Sequence, residues 1–293
     1  MLNQTEHQPR RVELSLRDGY ATYAWLYAPA ASDDMRCPVV YVHGIQSHPG
    51  WFVRSCDALA RAGHPVLAVA RRGSGENAVA RGHARSVGQL VDDLDAAVTW
   101  VCMRFYGVSQ VHLVGVSWGG KLAAAYCLES AYASRVVSLT MVAPGTVPRV
   151  DVSWRTKFAV AAALLYRPKK LFDIPLSDVE LFTDNEAMRA FLRADPHRLM
   201  RATARFLFAS RELDWRLSRA RAGRLAMPTA LLLAARDRII DNAATESAVR
   251  RLAPLARVVT LDAAHTMDFE EVPADFLAAL TAACGEAENH LAP

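Results

Sequence analysis

A chain of 293 residues with 52% hydrophobic content is long enough to bury one large core. Basic residues outnumber acidic ones by only 34 to 30, too small an excess for the footprint of a nucleic-acid binder. No apolar run approaches the length of a membrane-spanning helix, and the polar residues 1 to 12 lack a signal-peptide core, so a cytoplasmic protein is expected.

Short apolar runs alternate with longer periodic ones along the chain, the pattern of a parallel sheet covered by helices. Residues 11–17 and 20–28 read as two strands around a turn at Asp18-Gly19. CPVVYVHG is a buried strand, followed by a helix from about Trp51 to Ala62, a strand at PVLAVA and a long helix from about Ser86 to Arg104. QVHLVGV is a strand that ends at Ser117, and a helix follows at once. After the strand RVVSLTMVAP the pattern is interrupted for roughly 75 residues, with Pro144, Pro148, Pro168, Pro175 and Pro196 separating helical stretches. It resumes with the strand PTALLLAA, a helix from about Asn242 to Leu252, the strand RVVTLDAA and a last helix near Pro273 to Ala283.

The interrupted segment is a different kind of surface. Between Arg149 and Arg224 it carries 16 basic and 9 acidic residues, while the rest of the chain is slightly acidic. Its arginines are expected to be solvated helix faces, or to draw in anionic lipid head groups or acidic substrates through weak peripheral contact.

The stretch GVSWG fits G-x-S-x-G, and its context matters more than its letters, because a strand runs into the serine and a helix leaves it. A turn that tight brings the residues two before and two after the serine almost into contact, which leaves no room for a Cβ at Gly115 or Gly119. It also forces Ser117 into a strained positive φ and lifts its hydroxyl above the carboxyl edge of the sheet, where open α/β sheets bind ligands. The plainer role, a serine capping a helix, lacks that strand-to-helix setting.

A serine hydroxyl needs a base to become a nucleophile, and the base needs an orienting acid. On such a sheet the chain order is serine, acid, histidine. Asp237 falls just past the strand LLLAA and His265 just past VVTLDAA, both on the edge that carries Ser117. Asp241 is the rival acid, although it is also placed to cap the helix that begins near Asn242. The oxyanion of acyl transfer requires two donors, expected to be the backbone N–H groups of Trp118 and of Ile45 in the loop HGIQSHPGW. His43 is read as a brace for that loop, and His43 and Gln46 are also read as lining the substrate pocket.

Together these pieces resemble the α/β-hydrolase superfamily, and within it the monoacylglycerol lipase and lysophospholipase-like group of serine hydrolases. The resemblance rests on His43-Gly44, on the turn Arg72-Gly73-Ser74-Gly75, on GVSWGG, and on Asp237 and His265 in that order. It implies a mostly parallel eight-stranded sheet flanked by helices, with residues 1–145 and 224–293 as core and 146–223 as a helical cap. It also implies no metal and no organic cofactor. This chain departs from the group at three positions: Gln46 stands where a second oxyanion-turn glycine is usual, Ala70 where an aspartate is, and Trp118 where a methionine is.

Two other motifs stand apart from this pattern. GSGENA, residues 73–78, fits a dinucleotide-binding pattern with Asp92 and Asp93 downstream, but its strand does not open a run of βαβ units. Five scattered cysteines, at 37, 56, 102, 127 and 284, show no metal-ligand spacing and read as reduced thiols. The expected function is cleavage of a small-molecule carboxylic ester, with an apolar acyl chain entering beneath cap segments such as 158–166 and 204–209. Thioester cleavage, acyl transfer and a ligand-binding receptor on the same fold are the alternatives. The sequence assigns no oligomeric state.

Overall fold

The computed structural model describes residues 8–29, 35–105, 107–129, 131 and 133–289. In chain order the first half holds β1 (Arg10–Ser15), β2 (Ala21–Tyr27), β3 (Val39–Val42), α1 (Val53–Arg61), β4 (Val66–Val69), α2 (Val87–Arg104), β5 (Val111–Val116), α3 (Trp118–Glu129) and β6 (Val136–Val142). The second half holds α4 (Trp154–Tyr166), β7 (Leu171–Asp173), α5 (Glu186–Ala194), β8 (Arg201–Thr203), α6 (Ala204–Arg219), β9 (Thr229–Ala234), α7 (Asn242–Leu252), β10 (Arg257–Leu261) and α8 (Ala274–Asn289).

Eight strands form one sheet in the order β1-β2-β4-β3-β5-β6-β9-β10. β2 runs antiparallel to both its neighbours, and every other pairing is parallel. The parallel strands β3, β5, β6 and β9 are buried at every residue, which is why they read as unbroken apolar runs. The β1–β2 hairpin closes at Gly19, whose φ of 79° a side chain would resist. On one face of the sheet α1 packs with α8; α2 and α3 pack together against the other. α3 is enclosed on all sides, with every residue from Trp118 to Leu128 buried; the one buried charge in that run, Lys121, is paired with Asp214 of α6 at 2.8 Å.

Between β6 and β9 the chain leaves the sheet and forms α4, α5 and α6. Beside these helices β7 and β8 pair as an antiparallel ribbon, Leu171 with Thr203 through Asp173 with Arg201. Strands of three residues are too short to leave a period in the sequence. The apolar run of α4 does not line the interior: of its thirteen residues only Ala163 is buried.

Because β3, β5, β6, β9 and β10 point the same way, the loops that follow them gather at one edge. Those loops carry His43 to Ser47, Ser117, Ala143 to Gly145, Asp237 and His265.

Candidate active site

Ser117 has φ +53°, one of three non-glycine residues with positive φ among those described. Such a conformation costs on the order of 1–3 kcal/mol and persists where the surroundings enforce it. Here its N–H donates to the Val142 carbonyl at 2.8 Å, and its own carbonyl accepts from Gly120 and Gly145, both at 2.9 Å. A Cβ on Gly115 would lie 2.6 Å from the Gly119 carbonyl oxygen, and one on Gly119 would lie 2.3 Å from that of Val42. Both glycines are therefore required for the turn to close.

His265 Nε2 lies 2.9 Å from Ser117 Oγ, and His265 Nδ1 lies 2.7 Å from Asp237 Oδ2. The other Asp237 oxygen accepts the N–H groups of Ile239 and Ile240 at 2.8 and 3.0 Å. Burial alone would raise this carboxyl, but His265 and the two N–H groups outweigh it and hold the pKa below its ordinary value. Asp241 is not brought to His265; its carboxylate caps α7 by accepting the Ala244 N–H at 3.0 Å.

The loop after β3 folds over the serine. A Cβ on Gly44 would sit 3.3 Å from Ser117 Cβ and 3.2 Å from Ser47 Oγ, so glycine lets the loop come this close without a neighbour having to give way. The Ile45 N–H finds no acceptor among the described residues, and Trp118 opens α3, where N–H groups lack intrahelical partners. His43 is buried, donates Nδ1–H to the Gly44 carbonyl at 2.8 Å and accepts the Arg71 N–H on Nε2 at 3.0 Å. Burial and the nearby Arg71 charge hold its pKa well below the usual value, so the ring is a neutral strut. Gln46 is equally buried; its Oε1 accepts from Arg198 Nε at 3.0 Å, which ties the loop to the inserted segment.

Sequence reasoning missed several neighbours of this site. The Phe182 ring lies 6.2 Å from the His265 ring, and Arg198 lies 5.3 Å from the centre of Phe182. Phe206 stacks on Trp118 at 5.3 Å, and Arg71 sits against both rings at 4.8 and 4.9 Å. Burial brings the Arg71 pKa down to about 9, which leaves it charged near neutrality. Its one visible signal was the doubled arginine of ARRGSG. At the opposite edge of the sheet, Cys37, His112 and Glu288 place donor atoms within 4.8 Å of one another. These are already hydrogen-bonded together: Glu288 Oε1 accepts the Cys37 N–H at 2.8 Å and faces His112 Nε2 at 3.3 Å. Their separation in sequence hides them from any spacing rule.

A mostly parallel eight-stranded sheet with a serine on a strained strand-to-helix turn after a central strand defines an α/β-hydrolase. The chain belongs to the serine aminopeptidase S33 family of hydrolases (Hydrolase_4), which it matches over residues 33–271. Among curated proteins nothing matches the sequence. Its fold is similar to that of a Paleococcus ferrophilus monoacylglycerol lipase, with a TM-score of 0.75 and 20% identity over 96% of this chain and 99% of the other. It is also similar to a soluble variant of Saccharomyces cerevisiae monoglyceride lipase in complex with a substrate analogue, with a TM-score of 0.80 and 16% identity over 98% and 97%. A thermostable Bacillus coagulans carboxyl esterase in complex with glycerol gives 0.80 and 13% over 95% and 98%.

Proposed function

We propose that the protein is a serine hydrolase that cleaves a small-molecule carboxylic ester through an acyl-enzyme. The observation that carries this reading is the chain of hydrogen bonds from Ser117 Oγ to His265 Nε2, 2.9 Å, and from His265 Nδ1 to Asp237, 2.7 Å. In this mechanism Ser117 Oγ attacks the ester carbonyl as His265 Nε2 takes its proton. Asp237 holds the ring and stabilises the imidazolium. The oxyanion is held by the N–H groups of Ile45 and Trp118, and its collapse expels the alcohol, which leaves with the proton from His265. Water activated by the same histidine then releases the acid. The steps need no metal or organic cofactor.

Residues 1–145 and 224–293 serve as the catalytic core and 146–223 as a cap over it. The rings of Trp118, Phe182 and Phe206 favour an apolar acyl group beside Ser117, as do the acylglycerol lipases of similar fold. On the cap, Trp154, Phe158, Leu165 and Tyr166 are exposed among Arg155, Lys157, Arg167, Lys169 and Lys170, a surface suited to weak contact with anionic membranes. The free cysteines suit a reducing, cytoplasmic setting.

Peptide cleavage is the second reading, since the family is named for an aminopeptidase. An aminopeptidase must hold the ammonium group of its substrate, a task for a free carboxylate. The unpaired buried charges near Ser117 are instead the cations Arg71 and Arg198, neither of which has an ion-pair partner among the described residues. This favours the ester.

Hydrolysis of p-nitrophenyl esters from acetyl to palmitoyl tests the proposal. Ser117→Ala should reduce turnover to the residual of roughly 10³ to 10⁴-fold over water that binding and the oxyanion site supply. Wild-type rates in that variant would sink the reading. Faster turnover of thioesters or aminoacyl anilides would move it to thioesterase or peptidase.

A further inference from the structure

Two arginines stand side by side after β4, and their surroundings differ. Arg72 is neutralised, donating to both oxygens of Asp18 at 3.1 Å and to Asp93 at 2.6 Å. Arg71 has no carboxylate partner among the described residues. Its Nη2 donates to the Ile45 carbonyl at 2.8 Å, while Nε and Nη1 are buried with no acceptor. A charged guanidinium left unpaired in an interior is strongly destabilising, so a chain that needed only to fold would be better served by an apolar residue here.

Arg71 touches both residues proposed to hold the oxyanion. Ile45, whose N–H is a proposed oxyanion donor, holds Arg71 through its carbonyl; Trp118, the other donor, has its ring 4.9 Å from the guanidinium carbon. Ser47 Oγ is a further buried group with no partner, and it shares the space above Gly44 with Ser117. A site rich in donors and poor in acceptors is complementary to anionic oxygen. Phe206, from α6, covers the guanidinium at 4.8 Å.

We propose that the substrate ester carries a carboxylate or phosphate group, which Arg71 binds when the Phe206 ring swings aside. The inference rests on the serine-hydrolase reading and names the substrate class for that same site.

Two matched pairs of esters locate the anion. Mono-p-nitrophenyl glutarate against p-nitrophenyl valerate puts it on the acyl side. A lauroyl ester of glycerol 3-phosphate against monolauroylglycerol puts it on the alcohol side. The wild type should prefer the anionic member of one pair by roughly 10 to 100-fold in kcat/KM, the range of one hydrogen bond to a charged group. Arg71→Met should erase the preference and Arg71→Lys should keep part of it. No preference in either pair, or the same preference in Arg71→Met, overturns the inference. If Arg71→Met does not fold, inhibition of the wild type decides: glutarate or glycerol 3-phosphate should compete with the valerate ester where their neutral alcohol analogues do not, and equal ineffectiveness overturns it. Fluorophosphonate labelling of Ser117 keeps the two readings apart. A labelled, active enzyme without anion preference loses only this inference; an unlabelled, inert one loses the serine-hydrolase reading with it.

Discussion

Asp237 and Asp241 lie four residues apart and use their carboxylates differently. Asp237 is enclosed against His265, with its second oxygen held by two backbone N–H groups, whereas Asp241 spends its side chain on the first turn of α7. The two substitutions should therefore separate by observable. Asp237→Asn keeps the shape but destroys the preference for the correct tautomer of His265, and kcat should fall by about 10⁴ with little change in thermal midpoint. Asp241→Ala removes a cap and should cost about 1 kcal/mol of stability while leaving kcat near wild type. Kinetics and melting curves on both variants check this, and an inactive Asp241→Ala beside an active Asp237→Asn would reverse the assignment.

Elements are held at this site by contacts between distant parts of the chain. The strand-to-helix turn is the tightest: Gly119→Ala would drive a Cβ to within 2.3 Å of a carbonyl oxygen of β3, and backbone cannot yield as a flexible side chain can. A loss of about 1–3 kcal/mol or more is expected, read as a lower urea midpoint; an unchanged midpoint would mean that the turn has slack. The end of α5 is tied to the core by Asp195, which accepts from His48 Nε2 at 3.1 Å, Trp51 Nε1 at 2.8 Å and the His197 N–H at 2.9 Å. Burial would raise this carboxyl, but those donors prevail and hold its pKa at about 2. An unfolded aspartate titrates near 3.9, so the tie stabilises the fold above about pH 4 and is lost as pH falls toward 2. Asp195→Asn should thus be less stable than wild type at pH 7, with the gap narrowing below pH 4; a gap that does not change with pH would refute the tie. The core strands and the gathering of Ser117, Asp237 and His265 at one edge of the sheet were legible because each is announced locally, by an apolar run or by its place after one. Arg71 was not, because which of two adjacent arginines is neutralised depends on Asp18 and Asp93, far along the chain. The link from Gln46 to Arg198 spans 152 residues and left no trace in any window.

The chain presents two kinds of apolar surface, and only one is folded inward. The sheet and α3 bury theirs; α4 presents Trp154 at 65%, Phe158 at 71%, Leu165 at 78% and Tyr166 at 84% exposure. Periodicity registers both alike, which is why α4 read as the roof of an acyl pocket rather than as an outer face. Exposed apolar residues at helical spacing are costly in water, and here basic residues flank both ends of the helix, Arg155 and Lys157 at one and Arg167, Lys169 and Lys170 at the other. No described helix is long and apolar enough to cross a bilayer; the proposed surface contact rests on the exposed apolar residues of α4 and the cations that flank them. Each such cation near an anionic leaflet contributes about 1 kcal/mol. Replacing Lys169 and Lys170 together with glutamine should therefore weaken cosedimentation with vesicles containing phosphatidylserine by roughly 30-fold at low salt. It should leave the already weak binding to neutral phosphatidylcholine vesicles unchanged. Phe158→Ser should weaken binding to both kinds of vesicle, because it removes apolar burial rather than charge. Binding to anionic vesicles that is indifferent to both changes and to salt would show that α4 is not the face that meets the membrane.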